Sequence, residues 1–151
     1  MTQRNIGKYQ TYLVREGSYH YAQFTLSNPE AVVSFLNKQM HMMESPVEQF
    51  VVLYLNCKNK VTGTEIVSRG ALSGTSAAPR NVFQGAILAN AASIICSHQH
   101  PSRDPSPSKD DKELTRRLYE SGEILGIKLL DHIILGNNNS YFSFKEEGFL
   151  G

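Results

Sequence analysis

Two histidines one residue apart end a predicted buried strand, and this arrangement constrains the fold more than any other part of the chain. The segment 92–98 is short and β-branched and follows a helical pattern, which favours a strand. Because alternate side chains of a strand share a face, Cys96, His98 and His100 are predicted to point the same way. A loop rich in proline and serine follows. It ends at Ser108, which has the residue type of a helix N-cap.

The same stretch contains a candidate three-ligand metal site. Asp111 follows His100 by eleven positions and falls in the first turn of the predicted helix. Imidazole nitrogens and a carboxylate oxygen suit zinc, and three protein ligands leave a fourth position open for water, as in catalytic sites. Each residue also has a local explanation, since Asp111 fits a capping box with Ser108 and a histidine at a strand end is often only hydrogen-bonded. The convergence of all three favours a zinc site formed by His98, His100 and Asp111.

Bulk properties describe an ordinary single domain. The chain has 151 residues, of which 40% are hydrophobic and 19% charged. Its net charge of +1 gives no electrostatic support for nucleic-acid binding. Two cysteines, Cys57 and Cys96, are too few for a disulfide framework and fit a reducing compartment. We find neither an apolar run of membrane-spanning length nor a secretory leader pattern, so the expected location is cytoplasmic.

Residues 1–27 are predicted to form an N-terminal arm, and residues 28–151 a single domain. The arm carries tyrosines among charges and is expected to form a short strand or two, or to pack on the domain or a partner. These tyrosines could stack on single-stranded nucleic acid, although anchoring of the arm is the favoured interpretation.

The domain is predicted as an α/β sandwich with a mixed sheet. Its expected helices are 28–42, 79–90 and 108–125. The second helix is expected to turn Val82, Phe83, Ile87 and Leu88 inward, and the third helix Leu114, Leu118, Ile124 and Leu125. The expected strands are 50–55, 61–69, 92–98, 128–135 and 141–144, and 70–78 is predicted as loop. His41, at the end of the first helix, is expected to complement the helix C-terminus rather than to bind metal.

The pattern His98-x-His100-Pro-Ser, followed by Ser108-x-x-Asp111, resembles the signature of the JAMM (MPN-plus) metalloproteases. The flanking segments 90–95, 114–118 and 125–136 are more similar to the RadC-like branch of that superfamily. The resemblance covers about residues 48–144 and implies the MPN/JAB, cytidine-deaminase-like α+β fold, in which helices flank a mixed, largely antiparallel sheet. Arg103 stands where the family pattern usually has glycine. It could reach an acidic substrate, fold back over the opening or remain a solvated loop residue.

The resemblance also implies a function, a zinc-dependent hydrolase that cleaves a peptide or isopeptide bond. Glu48, just before a buried strand, matches the family's general acid/base, and Ser108 matches the serine that stabilises the oxyanion. Glu65 is the other upstream glutamate considered, but its alternating strand suggests a solvated face. The expected partner is a protein or peptide substrate. The alternative is a non-catalytic, DNA-associated or phage/prophage accessory protein, since RadC-like proteins have traditionally been linked to DNA repair.

Three further residues near the predicted site have open assignments. Cys96 could be an additional ligand, but a buried apolar role is favoured. Asp131 and His132 follow one another on a predicted strand and should face opposite ways, so one of them could support a metal ligand from behind.

Overall fold

The computed structural model describes residues 2–20, 25–26, 28–70 and 77–151. Within these residues the chain forms three α-helices and five strands. In chain order they are α1 (Pro29–Lys38), β1 (Gln49–Leu55), β2 (Val61–Arg69), α2 (Pro79–Leu88), β3 (Ser93–Gln99), α3 (Lys109–Leu125), β4 (Lys128–Leu135) and β5 (Tyr141–Ser143). Short 3-10 turns cover Met42–Glu44 and Asn137–Asn139. Most of the loop predicted over 70–78 lies outside the described residues.

The described strands form one mixed sheet in the order β2-β1-β3-β4-β5. Only the β3–β4 pair is parallel, and the other pairs are antiparallel. Side chains from α2 and α3 form a core with one face of the sheet, while α1 covers the other face. The central strands β1 and β3 are therefore buried on both faces, as continuous apolar runs favour. The predicted α+β fold with a largely antiparallel sheet is confirmed.

Helix α3 begins and ends where its local chemistry predicts. Ser108 caps its N-terminus and forms a capping box with Asp111. At the other end, Gly126 adopts a left-handed conformation with φ of 71°, which costs glycine little. These end signals lie within a few residues of the helix, which explains why they can be read from the sequence.

Helix α1 is shorter than predicted. The apolar pattern favoured a helix to Met42, but the helix ends at Lys38. His41 adopts a positive φ of 52° and lies 3.3 Å from Glu44, so it does not complement the helix C-terminus. Met42 is fully buried, and its carbonyl oxygen accepts a hydrogen bond from the Gln99 side chain. A contact with a strand 57 residues away thus defines this segment.

Three residues predicted to face inward lie on the surface instead. Ile87 of α2 is 51% exposed, and Ile124 and Leu125 at the end of α3 are 86% and 47% exposed. A helix face wide enough to include them exceeds what the sheet covers, so apolar periodicity alone overestimated the buried face.

The described part of the N-terminal arm has little regular structure. Residues 2–20 are exposed and form neither helix nor strand. An isolated bridge joins Thr25 to Lys60, and Leu26 is buried in the core beneath α1. Tyr19 contacts Phe35 edge-on, whereas Tyr9 and Tyr12 are 88% and 72% exposed. Tyr21 and Phe24 lie outside the described residues. No helix in the described ranges is long and apolar enough to cross a membrane.

Candidate metal centre

The two histidines lie at the carboxyl end of β3, at the rim of the sheet. His98 is fully buried on the strand, and His100 follows the strand with 18% of its side chain exposed. Their Nε2 atoms lie 3.3 Å apart. The site therefore opens to solvent on the His100 side.

Helix α3 brings Asp111 to both histidines. One carboxylate oxygen lies 3.1 Å from His98 Nε2, and the other lies 2.8 Å from His100 Nε2. The second oxygen also accepts the Ser108 backbone N–H, so the capping role and the ligand role are compatible. Burial raises the pKa of the Asp111 carboxyl, but the two histidines and the Ser108 amide outweigh burial and hold this pKa well below its usual range. Asp111 is thus an ionised carboxylate.

The geometry of His100 shows that these groups fit a cation. Its Nδ1 lies 2.7 Å from the Asp104 carbonyl oxygen, which can only accept a hydrogen bond. In neutral His100, Nδ1 therefore carries the proton, and the Nε2 lone pair faces the Asp111 carboxylate. Two facing acceptors need a proton or a cation between them. The ligand atoms of all three residues lie within 4.8 Å of one another, so the group can hold a metal ion.

His98 also contacts an aromatic ring and a third histidine. Phe50 stacks on His98 with ring centroids 5.9 Å apart, and Phe144 stacks on His132 at 5.0 Å. His132 Nε2 lies 2.8 Å from His98 Nδ1. Asp131 faces away and accepts hydrogen bonds from Ser143 and from the backbone of Lys145. Of the two residues whose roles were open, His132 is the one that contacts a predicted ligand.

Glu48 lies half-buried immediately before β1. In the antiparallel register Phe50 pairs with His98, and continuing that register by two residues places Glu48 opposite His100. The Glu48 carbonyl accepts a hydrogen bond from the Gly70 N–H, and this bond fixes the Glu48 main chain. Strand alternation puts the Glu48 side chain on the same face as Phe50 and His98.

Gln99, the residue between the two histidines, holds the segment around Glu48. Its side chain is 2% exposed and lies on the opposite face of β3. The amide nitrogen donates to the carbonyl oxygens of Met42 and Val47, and the amide oxygen accepts from the Gln49 N–H. Sequence reasoning missed this role. A polar residue inside a strand buried on both faces is the signal that could have suggested it.

Glu65 is not solvated as predicted. It lies half-buried on β2, and its carboxylate accepts a hydrogen bond from the Tyr54 hydroxyl beneath α2. Burial, and then the Glu65 carboxylate, raise the pKa of the Tyr54 phenol. In register Glu65 pairs with Val52 rather than with the rim of the sheet, so the pairing of β1 and β2 carries it away from the histidines.

Cys96 lies in the core rather than in the metal group. The thiol is fully buried among apolar residues that include Phe50 and Leu118. Burial raises the pKa of the Cys96 thiol well above its usual range, which disfavours the thiolate that metal binding requires. The favoured interpretation of Cys96 as a small apolar residue agrees with this position.

Arg103 supports the loop between His100 and α3. Its guanidinium donates to the carbonyl oxygens of Met43 and Ser45, so it is neither a solvated residue nor a cover over the opening. Its φ is +63°, a conformation that favours glycine, the residue usual at this position in the resembled pattern. The loop thus keeps a left-handed residue here and gains two hydrogen bonds to the segment that precedes Glu48.

Ser108 lies exposed at the start of α3, next to the candidate ligands. Its hydroxyl oxygen accepts the Asp111 backbone N–H at 3.0 Å. A hydroxyl that accepts in this way keeps its own proton available for another acceptor.

Comparison with known proteins assigns the chain to a family. The family model of the RadC-like JAB domain matches residues 26–149. UPF0758 protein STH371 of Symbiobacterium thermophilum is 46% identical over 125 residues, which are 83% of this chain and 52% of that protein. UPF0758 protein TTE0897 of Caldanaerobacter subterraneus is 45% identical over 126 residues, which are 83% of this chain and 53% of that protein.

A relative from Bacillus licheniformis is 45% identical over 128 residues, which are 85% of this chain and 56% of the relative. The chain therefore spans about half the length of the curated relatives it matches. The names of these relatives state no activity. Both the family model and the relatives cover the strand, loop and helix that carry His98, His100 and Asp111. The chain belongs to the family of RadC-like JAB domains.

Proposed function

We propose that the protein is a zinc-dependent hydrolase that cleaves a peptide or isopeptide bond. The observation that carries the proposal is the convergence of His98 Nε2, His100 Nε2 and the Asp111 carboxylate on one point at the solvent-facing rim of the sheet. A group that only stabilised the fold would not need three metal-type ligands beside an opening. Membership of the JAB family supports a metal-dependent hydrolase and leaves the substrate open.

Each residue of the site has a distinct task in this proposal. His98, His100 and Asp111 would hold zinc, which lowers the pKa of a water molecule and polarises a carbonyl group. Glu48 would take the proton from the attacking water and return it to the leaving amine. Its register opposite His100 supports this role, and the hydrogen bond between Glu65 and Tyr54 argues against Glu65.

Ser108 would donate its hydroxyl proton to the oxygen that becomes negative as the carbonyl is attacked. The hydrogen bond that its oxygen accepts from the Asp111 amide orients the hydroxyl without using that proton. Helix capping and oxyanion stabilisation are therefore compatible in one side chain.

The first experiment measures the metal content of the purified protein. We expect one zinc per chain in the wild type and loss of zinc in His100→Ala. His20→Ala, which removes an exposed histidine outside the group, should retain the metal. A wild-type protein that takes up no zinc when zinc is supplied would refute the proposal.

The second experiment separates catalysis from metal binding. With peptide and isopeptide-linked fluorogenic libraries as substrates, Glu48→Gln should keep its zinc and lose hydrolysis by roughly two to four orders of magnitude. Glu44→Gln is the matched control, because Glu44 is an exposed glutamate in the same segment. Full activity in Glu48→Gln would show that another group transfers the proton.

A further inference from the structure

His132 has no task in the proposed hydrolysis, yet it is held from several sides. It is fully buried on β4, with Phe144 stacked on its ring and Phe50 edge-on at 5.5 Å. One ring nitrogen, Nε2, lies 2.8 Å from His98, and the other, Nδ1, lies 2.6 Å from the Thr115 hydroxyl. Both nitrogens are therefore hydrogen-bonded.

The hydrogen bond that the Thr115 hydroxyl makes to the main chain determines which atoms donate and which accept at His132. The Thr115 hydroxyl donates to the Asp111 backbone carbonyl at 2.7 Å, and a carbonyl can only accept. A hydroxyl has one proton, so the Thr115 oxygen can only accept from His132. His132 Nδ1 must then carry the ring proton.

A neutral His132 with its proton on Nδ1 has a lone pair on Nε2. That lone pair accepts from His98 Nδ1, so the proton of a neutral His98 is on Nδ1 as well. The Nε2 of His98 is left with its lone pair directed at the Asp111 carboxylate, 3.1 Å away. This is the form of histidine that binds a metal through Nε2.

We infer that Thr115 and His132 form a hydrogen-bond relay that fixes the tautomer of His98, so that its Nε2 lone pair faces the metal position. The inference rests on the proposed metal site. The relay starts at the main chain of Asp111 and runs through Thr115 on α3 and His132 on β4 to His98 on β3. The ring of His98 in turn faces the Asp111 side chain. Thr115 and His132 are positioning residues, because neither belongs to the ligand group.

The two histidines are thus oriented by different means. His100, which is partly exposed, donates to a backbone carbonyl of its own loop. His98 is buried on a strand whose backbone groups pair with β1 and β4, so its second nitrogen depends on a side chain. A ligand whose orientation depends on side chains can be perturbed by substitution without altering the main chain.

The test compares zinc affinity, measured by competition with a chromophoric chelator, in a set of matched variants. Thr115→Val keeps the shape of the side chain and removes the hydroxyl, and we expect zinc to bind roughly 10–100-fold more weakly. Thr115→Ser restores the hydroxyl and should recover most of the affinity. Ser97→Ala removes a buried hydroxyl on the opposite face of β3, where it donates to Ile133, and should leave the affinity unchanged.

Nitrogen-15 NMR of the histidine rings provides a second readout that needs no metal. In metal-free wild-type protein at about two pH units above the usual histidine pKa, we expect His132 to carry its proton on Nδ1. In Thr115→Val this preference should weaken. His132 protonated on Nε2 in the wild type, or equal zinc affinity in Thr115→Val, would overturn the relay. If the wild type bound no zinc, the proposed function would fail, while the ring tautomers would still decide whether the relay exists.

Discussion

Replacing Gln99 by leucine tests whether the residue between the two histidines holds the candidate catalytic segment. Leucine has a similar size but makes none of the three hydrogen bonds. The Met42 carbonyl, which Gln99 reaches at 2.9 Å, is buried and would lose its side-chain donor. The Val47 carbonyl and the Gln49 amide are only partly buried, so water can replace Gln99 there.

These environments determine the expected magnitude. The Met42 carbonyl keeps one donor, the Ser45 backbone N–H at 3.2 Å, so no buried group is left without a partner. Each of the three lost hydrogen bonds contributes about 0.5–1.5 kcal/mol, and the free energy of unfolding should therefore fall by about 1.5–4.5 kcal/mol. Zinc affinity should change little, because the Gln99 side chain lies on the face of β3 opposite to His98.

The assay is urea unfolding combined with amide hydrogen exchange. In Gln99→Leu the Gln49 amide should exchange faster at denaturant concentrations where the protein remains folded. Gln84→Leu makes the same substitution at an exposed position of α2 and should change stability by less than about 0.5 kcal/mol. A loss of similar size in both variants, or unchanged exchange at Gln49, would refute the reasoning.

Three further predictions concern the metal, the loop and a helix contact. Removing zinc with a chelator should leave the far-ultraviolet circular dichroism largely unchanged, because both sides of the sheet have their own apolar cores; collapse to an unfolded spectrum would show a structural metal. Arg103→Gly should retain zinc while amide exchange in segment 42–45 accelerates, since two hydrogen bonds to that segment are lost. Metal analysis and hydrogen exchange measure the two effects, and loss of zinc would show that Arg103 also supports the metal site. Gly122→Ala should lower the free energy of unfolding by about 1–3 kcal/mol in urea titrations, because its methyl group would lie 2.5 Å from the Ile127 carbonyl oxygen. A stabilised variant would mean that helix propensity outweighs this contact.

The sequence by itself determined the features whose physical causes are local. Strands β2 and β4 have the predicted bounds, because alternation and continuous apolar runs extend over the strands themselves. The start and end of α3 follow from Ser108 and Gly126, residues beside the helix. The group of His98, His100 and Asp111 that could hold a metal ion was readable for the same reason, since its members lie on one strand, one loop and one helix turn that follow each other directly.

The tertiary structure alone decided the features that depend on contacts between distant segments. Gln99 with Met42, and His132 with Thr115 and His98, are pairs that no periodic pattern connects. The early end of α1 and the outward position of Ile87 depend on how much surface the sheet offers each helix. Hydrogen bonds and burial between distant residues arise only once the sheet order is set, which is why they require the folded chain.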